Sequence, residues 1–154
     1  MSYMTRAEIT EQINAARIAK GFTWQQLADA IDKPVVWTVS ALQGQHPIPP
    51  DAGKVVVEML GLDESAVAVM AAVPMRGGLP TAVPTDPTIY RFYEALQVYG
   101  GAIKELIHEQ FGDGIMSAIN FSLDVERKAH PDGDRVVVTL DGKFLPYAWT
   151  SAES

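Results

Sequence analysis

"PMRGGLPTAVPTDP", residues 74–87, holds four prolines and two glycines in fourteen positions, a composition through which no helix continues. It divides the chain into a domain over 1–75 and a second over 76–154. Proline makes such a connection extended and fairly stiff, unlike a Gly/Ser coil, so the stretch is expected to lie against protein. The character of the molecule then follows from what stands on either side.

Upstream, the pattern is helical throughout. "DESAVAVMAAVP" reads as a short helix capped by Asp63, and "AGKVVVEMLGL" as another, set off by the break "HPIPPD". Before these, "TWQQLADAIDKPVVWTVSALQG" reads as a helix from Thr23, with Gln26 completing a capping box, a turn near Asp32 and Lys33, and a helix from Pro34 to Leu42. Two short helices joined by a tight turn make a helix-turn-helix pattern, of the lambda repressor-like kind. "RAEITEQINAARIAK", residues 6–20, spaces Ile9, Ile13, Ala16 and Ile18 for a first helix that Gly21 ends.

Downstream, Thr85 or Asp86 can cap a helix with Pro87 at its first position, and Gly100 with Gly101 offers a stop. A second helix, "AIKELIHEQFG", ends at Gly112. "INFSLDVER" alternates Ile119, Phe121, Leu123 and Val125 on one face; "HPDGD" is a turn, and "VVVTLDGKFLPY" a strand carrying an Asp-Gly hairpin signal. The expected class is therefore α+β: an all-helical amino-terminal bundle, then two helices and a small antiparallel sheet. So small a second unit buries little surface alone and is expected to depend on partner chains. The tail "TSAES" is expected to be disordered.

Composition narrows the function. Net charge is -7, the wrong sign for wrapping a phosphate backbone, and the absence of cysteine removes disulfides and thiolate metal sites. No signal peptide or membrane-length apolar run is present, which makes the cytoplasm the expected location. As a DNA reader the helix-turn-helix is poorly equipped. Its second helix, "PVVWTVSALQG", has no Lys, Arg or Asn, and residues 1–75 carry five basic against eight acidic side chains. Serine hydrolase chemistry lacks its G-x-S-x-G, and "IHEQF" lacks the second histidine of a zinc motif; His46, His108 and His130 sit in unrelated segments.

Two stretches are candidates for chemistry. In "DPTIYRFYEALQVYG", residues 86–100, Ile89, Phe92, Tyr93, Leu96 and Tyr99 form one stripe while Tyr90, Ala95 and Val98 carry apolar surface around the rest, so the helix is expected to be buried on all sides. Arg91 and Glu94, three apart, can meet. On open surface that pair is worth about 0.3–0.5 kcal/mol. In a dry surround the two charges need each other or a ligand, and the planar donor fork of Arg91 suits a small carboxylate-like anion. In "FGDGIMSAINF", Gly112 and Gly114 allow close backbone approach just before Ser117, as either a helix stop with a packing serine or an anion cradle.

Residues 84–125, "PTDPTIYRFYEALQVYGGAIKELIHEQFGDGIMSAINFSLDV", together with "LDGKFLP" further on, closely resemble the cyanase family, the bicarbonate-dependent cyanate hydratases; the helix-turn-helix half and "PMRG" are similar more loosely. The resemblance implies a helical domain not used for DNA and a carboxy-terminal dimerisation and catalytic domain. It also implies a homodecamer of five dimers with active sites between dimers. Carried over by motif, the catalytic residues are Arg91 and Glu94 of "YRFYE" and Ser117 of "GIMSAIN". No cofactor or metal is implied, bicarbonate being a co-substrate, and the partners are cyanate, bicarbonate and further copies of the chain, with neither nucleic acid nor membrane. Gly78 stands where some members have cysteine, so a thiol is not essential here. A regulator that binds DNA through the helix-turn-helix is the alternative.

Overall fold

The computed structural model describes residues 3–77 and 81–149. The chain separates into two compact units, Met1–Gly78 and Leu79–Ser154. The tail for which disorder is expected, residues 150–154, lies outside the described residues.

The first unit is five helices: α1 (Arg6–Lys20), α2 (Trp24–Ala30), α3 (Val35–Leu42), α4 (Pro50–Leu60) and α5 (Ala66–Ala71). Local chemistry sets their starts and stops. Thr5 with Glu8, and Thr23 with Gln26, form full capping boxes, each satisfying two otherwise orphaned backbone N–H groups. Gly21 ends α1 in the left-handed conformation that glycine adopts without penalty. Asp63 behaves differently from the expected helix cap: Ser65 takes the cap position, and the Asp63 carboxylate accepts from Ser65 N at 2.9 Å, closing the turn ahead of α5. Ile9 and Ile13 of α1, Leu27 of α2, Leu42 of α3, Val56 and Leu60 of α4 and Met70 of α5 are fully or nearly fully buried and meet in one core. Met75–Gly77 adjoin this unit, since Arg76 Nε donates to the Gln45 carbonyl and Gly77 N to Gln45 Oε1.

Arg6 ties the helix ends together. One guanidinium nitrogen donates to the Met70 carbonyl at 2.8 Å and the other to those of Ala41 and His46 at 2.7 and 3.0 Å. Burial disfavours its charge and lowers its pKa; three carbonyl acceptors offset part of that penalty. Arg6→Ala removes all three bonds, although the Met70 and Ala41 carbonyls still accept from Ile48 N and Gly44 N, and hydrogen bonds to a charged group put the expected loss of stability at roughly 2–4 kcal/mol. Chemical denaturation checks it: an unchanged midpoint would remove the clasp from the stability account.

The second unit departs from expectation at two places. Where two helices were expected there is one, α6 (Pro87–Phe111), running through Gly100 and Gly101. Each mid-helix glycine costs about 1 kcal/mol against alanine, but neither takes the positive φ with which a glycine commonly ends a helix; Gly112, at φ 91°, does. Good helix formers on both sides, Ala95, Leu96, Ala102, Lys104 and Glu105 among them, carry the helix across. Asp86 caps its start, accepting from Thr88 N and Ile89 N. The second departure is Asp141–Gly142, which makes no hairpin. Both residues lie inside β2 (Arg135–Pro146), paired antiparallel with β1 (Gly114–Lys128), and the ribbon turns instead at 130–134, where Gly133 has φ 122°. β1 also begins five residues before the alternating stretch.

All buried hydrophobic side chains among the described residues lie between Ile9 and Met70. No residue of α6 is buried: Leu96, Tyr99, Ile103, Leu106 and Phe111 all stand open in the single chain, and the enclosure expected for this helix is not supplied from within it.

Candidate active site

Arg91 and Glu94 are brought together one turn apart on the first half of α6. Arg91 Nη1 donates to Glu94 Oε2 at 2.8 Å. With the side chains 65% and 50% exposed, solvent screens the pair in the isolated chain, and its geometry there is that of an ordinary surface ion pair. Its surroundings set it apart. Ile89, Phe92 and Leu96, on the same stretch of helix, are large, apolar and exposed. Glu94 is the one hydrogen-bond partner of Arg91 among the described residues, so the second terminal nitrogen and Nε keep their protons free for an acceptor. The carboxylate thus orients the fork without filling it.

Ser117 lies in β1 and is one of the few buried residues of its unit, 6% exposed. The pairing of β1 with β2 is regular from Gly114 to Met116 and again from Phe121 to Lys128, but between them Ser117–Asn120 stand opposite the single residue Lys143. The surplus forms a wide bulge, a device that re-aims side chains. Within it, Ser117 Oγ accepts from Ile119 N and Asn120 N, both at 3.0 Å. A hydroxyl has two acceptor lone pairs and one proton, so with both lone pairs engaged what remains is a polarised O–H donor. The sequence reading missed these two amides, which hold the serine through backbone atoms that no residue motif displays.

No hydrogen bond among the described residues joins Ser117 to Arg91 or Glu94. Arg91 precedes the end of α6 by a run of helix about 30 Å long, and Ser117 follows that end by six residues, about 20 Å of extended chain. Their backbones therefore stay at least about 8 Å apart in one chain. The two prominent grooves of this unit, each about 340 Å³, lie elsewhere: one is lined by Leu96, Gly100, Ile103 and Met116, the other by Phe111, Met116, Gly142 and Phe144. They are apolar clefts of uncovered surface and contain none of the three residues.

The histidines fall into local contacts. His108 takes a hydrogen bond from Lys104 Nζ at 2.6 Å and meets the Gly112 carbonyl at 2.9 Å, while His46 pairs with Ser40 at 3.0 Å beneath Trp37. Among the described residues no group of three or more His, Asp or Glu side chains could hold a metal ion.

Comparison with known proteins covers both units. A family model described as the cyanate lyase C-terminal domain matches residues 81–149, and one described as cyanate hydratase, N-terminal, matches residues 6–74. A cyanate hydratase of Mycolicibacterium vanbaalenii is 77% identical over 150 residues, covering 97% of this chain and 98% of its own length. One from Mycobacterium avium is 75% identical, covering 97% of each. Among solved structures, the crystal structure of cyanase from T. urticae superposes with a TM-score of 0.79 at 37% identity, over 91% of this chain and 98% of the other.

Proposed function

The chain belongs to the cyanate lyase family, and on that premise we propose that Arg91, Glu94 and Ser117 form the centre at which it decomposes cyanate, with bicarbonate as nucleophile. It is a lyase, a cyanate hydratase like its relatives. The site does the electrostatic part of the work. Cyanate and bicarbonate are both anions, so bringing the bicarbonate oxygen to the electrophilic carbon of cyanate means overcoming their repulsion. The resulting adduct is a dianion. Donors already oriented towards such charge are worth most where water is excluded.

Arg91 supplies the positive fork and Ser117 an O–H aimed at a substrate oxygen or nitrogen. The observation that carries this reading is the state of the Ser117 hydroxyl, whose lone pairs are both occupied so that it is prepared to donate. Glu94 orients Arg91 and passes protons. Loss of carbon dioxide from the adduct, with uptake of one proton, leaves carbamate; a second proton releases ammonia and another carbon dioxide. No cofactor enters these steps.

Arg91 and Ser117 share no hydrogen bond within one chain, and the proposed complete site draws them from different subunits. A homodecamer, five dimers with sites between them, fits the bare apolar helix, and the cytoplasm is the proposed location. No helix among the described residues is long and apolar enough to cross a membrane. Nothing in the fold or the comparisons favours a DNA-binding regulator, since α3 carries no basic residue.

Ammonia release from cyanate is expected to require added bicarbonate. Release that continues unchanged in carbonate-depleted buffer would show that water is the nucleophile and end this mechanism.

A further inference from the structure

Gly142 sits beside Lys143, the residue that faces the whole Ser117–Asn120 bulge. A Cβ built on Gly142 would collide with the Ser117 carbonyl oxygen and come within 2.5 Å of Met116 Cγ and 3.2 Å of its Sδ. Methionine is flexible and can move away, but a backbone carbonyl in a paired ribbon cannot do so alone. Moving the carbonyl turns the Ser117–Ala118 peptide, and with it the amides of Ile119 and Asn120 that hold Ser117 Oγ.

We propose that Gly142 is a positioning residue for the reaction: its bare α-carbon lets the Ser117 carbonyl seat against β2, and that seat keeps the bulge in the form that turns the serine hydroxyl into a fixed donor. The proposal rests on the reading of Ser117 given above. It also accounts for the Asp-Gly pair, whose glycine serves close approach of a neighbouring strand in place of a turn. Beyond the Phe121–Gly142 pair, the ladder of Ser122–Lys128 with Arg135–Asp141 does not include the glycine. A methyl group there should therefore spare the ladder and disturb the bulge.

The test sets Gly142→Ala beside Ser117→Ala in the full chain. Turnover of cyanate, assembly by light scattering, and hydrogen–deuterium exchange over residues 117–128 are read together. Gly142→Ala is expected to stay assembled and to lose on the order of a hundredfold in kcat, the scale of an ångström-sized misplacement, with KM for cyanate little changed. Exchange should quicken at Ile119 and Asn120 while 121–128 stays protected. If Ser117→Ala is inactive and Gly142→Ala turns over normally, the positioning role is overturned. Loss of activity together with loss of protection along the whole ladder overturns it as well, because the glycine is then a requirement of the fold.

Should Gly142→Ala fail to assemble, Met116→Ala/Gly142→Ala removes the side-chain half of the clash and keeps the carbonyl half. That double variant, assembled but slow with a loosened bulge, supports the role; its failure to assemble, or its full activity, overturns it. A fully active Ser117→Ala is a separate result, refuting the assignment of Ser117 whatever Gly142 does.

Discussion

Arg91→Lys is expected to leave the proposed assembly intact and to lower turnover on the order of a hundredfold or more. The substitution keeps the positive charge beside Glu94, and a surface ion pair of the same sign and span survives it. What disappears is the planar arrangement of donors. In the present geometry Nη1 is committed to Glu94 and the remaining N–H groups project on from the same rigid plane, so one carboxylate fixes the direction of every other donor. An ammonium group is a point charge; held by Glu94, it aims at nothing else. If the anion contact is made mainly in the transition state, the deficit falls on kcat. The ammonia assay, run on material whose mass has been checked by light scattering, decides the matter. Full activity of the lysine variant would return Arg91 and Glu94 to an ordinary exposed ion pair.

Phe92→Asp is expected to fail in another way, by dissociation, with activity lost alongside. Phe92 is 49% exposed in the single chain, so a carboxylate there creates no cavity and buries no charge while the chain is alone. The cost arises when another subunit covers the helix, because an unpaired carboxylate in an apolar interface costs several kcal/mol or keeps the subunits apart. Chromatography beside the same assay separates this outcome from that of Arg91→Lys. A dissociated Phe92→Asp protein with normal turnover would mean that one chain holds a complete site and that the shared-site reading is wrong.

What the sequence discloses divides along the range of the forces involved. The capping box at Thr23, the left-handed stop at Gly21 and the cap at Asp86 depend on atoms a few residues apart, and a linear reading finds them; the box at Thr5 is as local and is missed. Gly100–Gly101 and Asp141–Gly142 are misread for the opposite reason. A glycine in sequence announces freedom without saying whether a turn, a close neighbour or nothing within the chain uses it, and at Gly142 the user lies on the facing strand. Arg91, Glu94 and Ser117 are nameable as candidates from the long, specific motifs in which they sit. Their arrangement is not, because the Ser117 bulge is a mismatch of register between two strands and no property of either strand alone. Burial of α6 is illegible in a further sense: the apolar pattern predicts a cover that the chain itself does not supply.

The confinement of the buried core to residues 9–70 has a consequence for the order of events in synthesis. The amino-terminal helices leave the ribosome first and carry the buried hydrophobic core of the described residues, so they can fold while the remainder is still being made. The later half emerges attached to a completed body, its long helix greasy and uncovered. On the proposed assembly, the hazardous interval for a newly released chain is the wait for a sister chain, and the helix that would meet it is also the surface through which a solitary chain would aggregate.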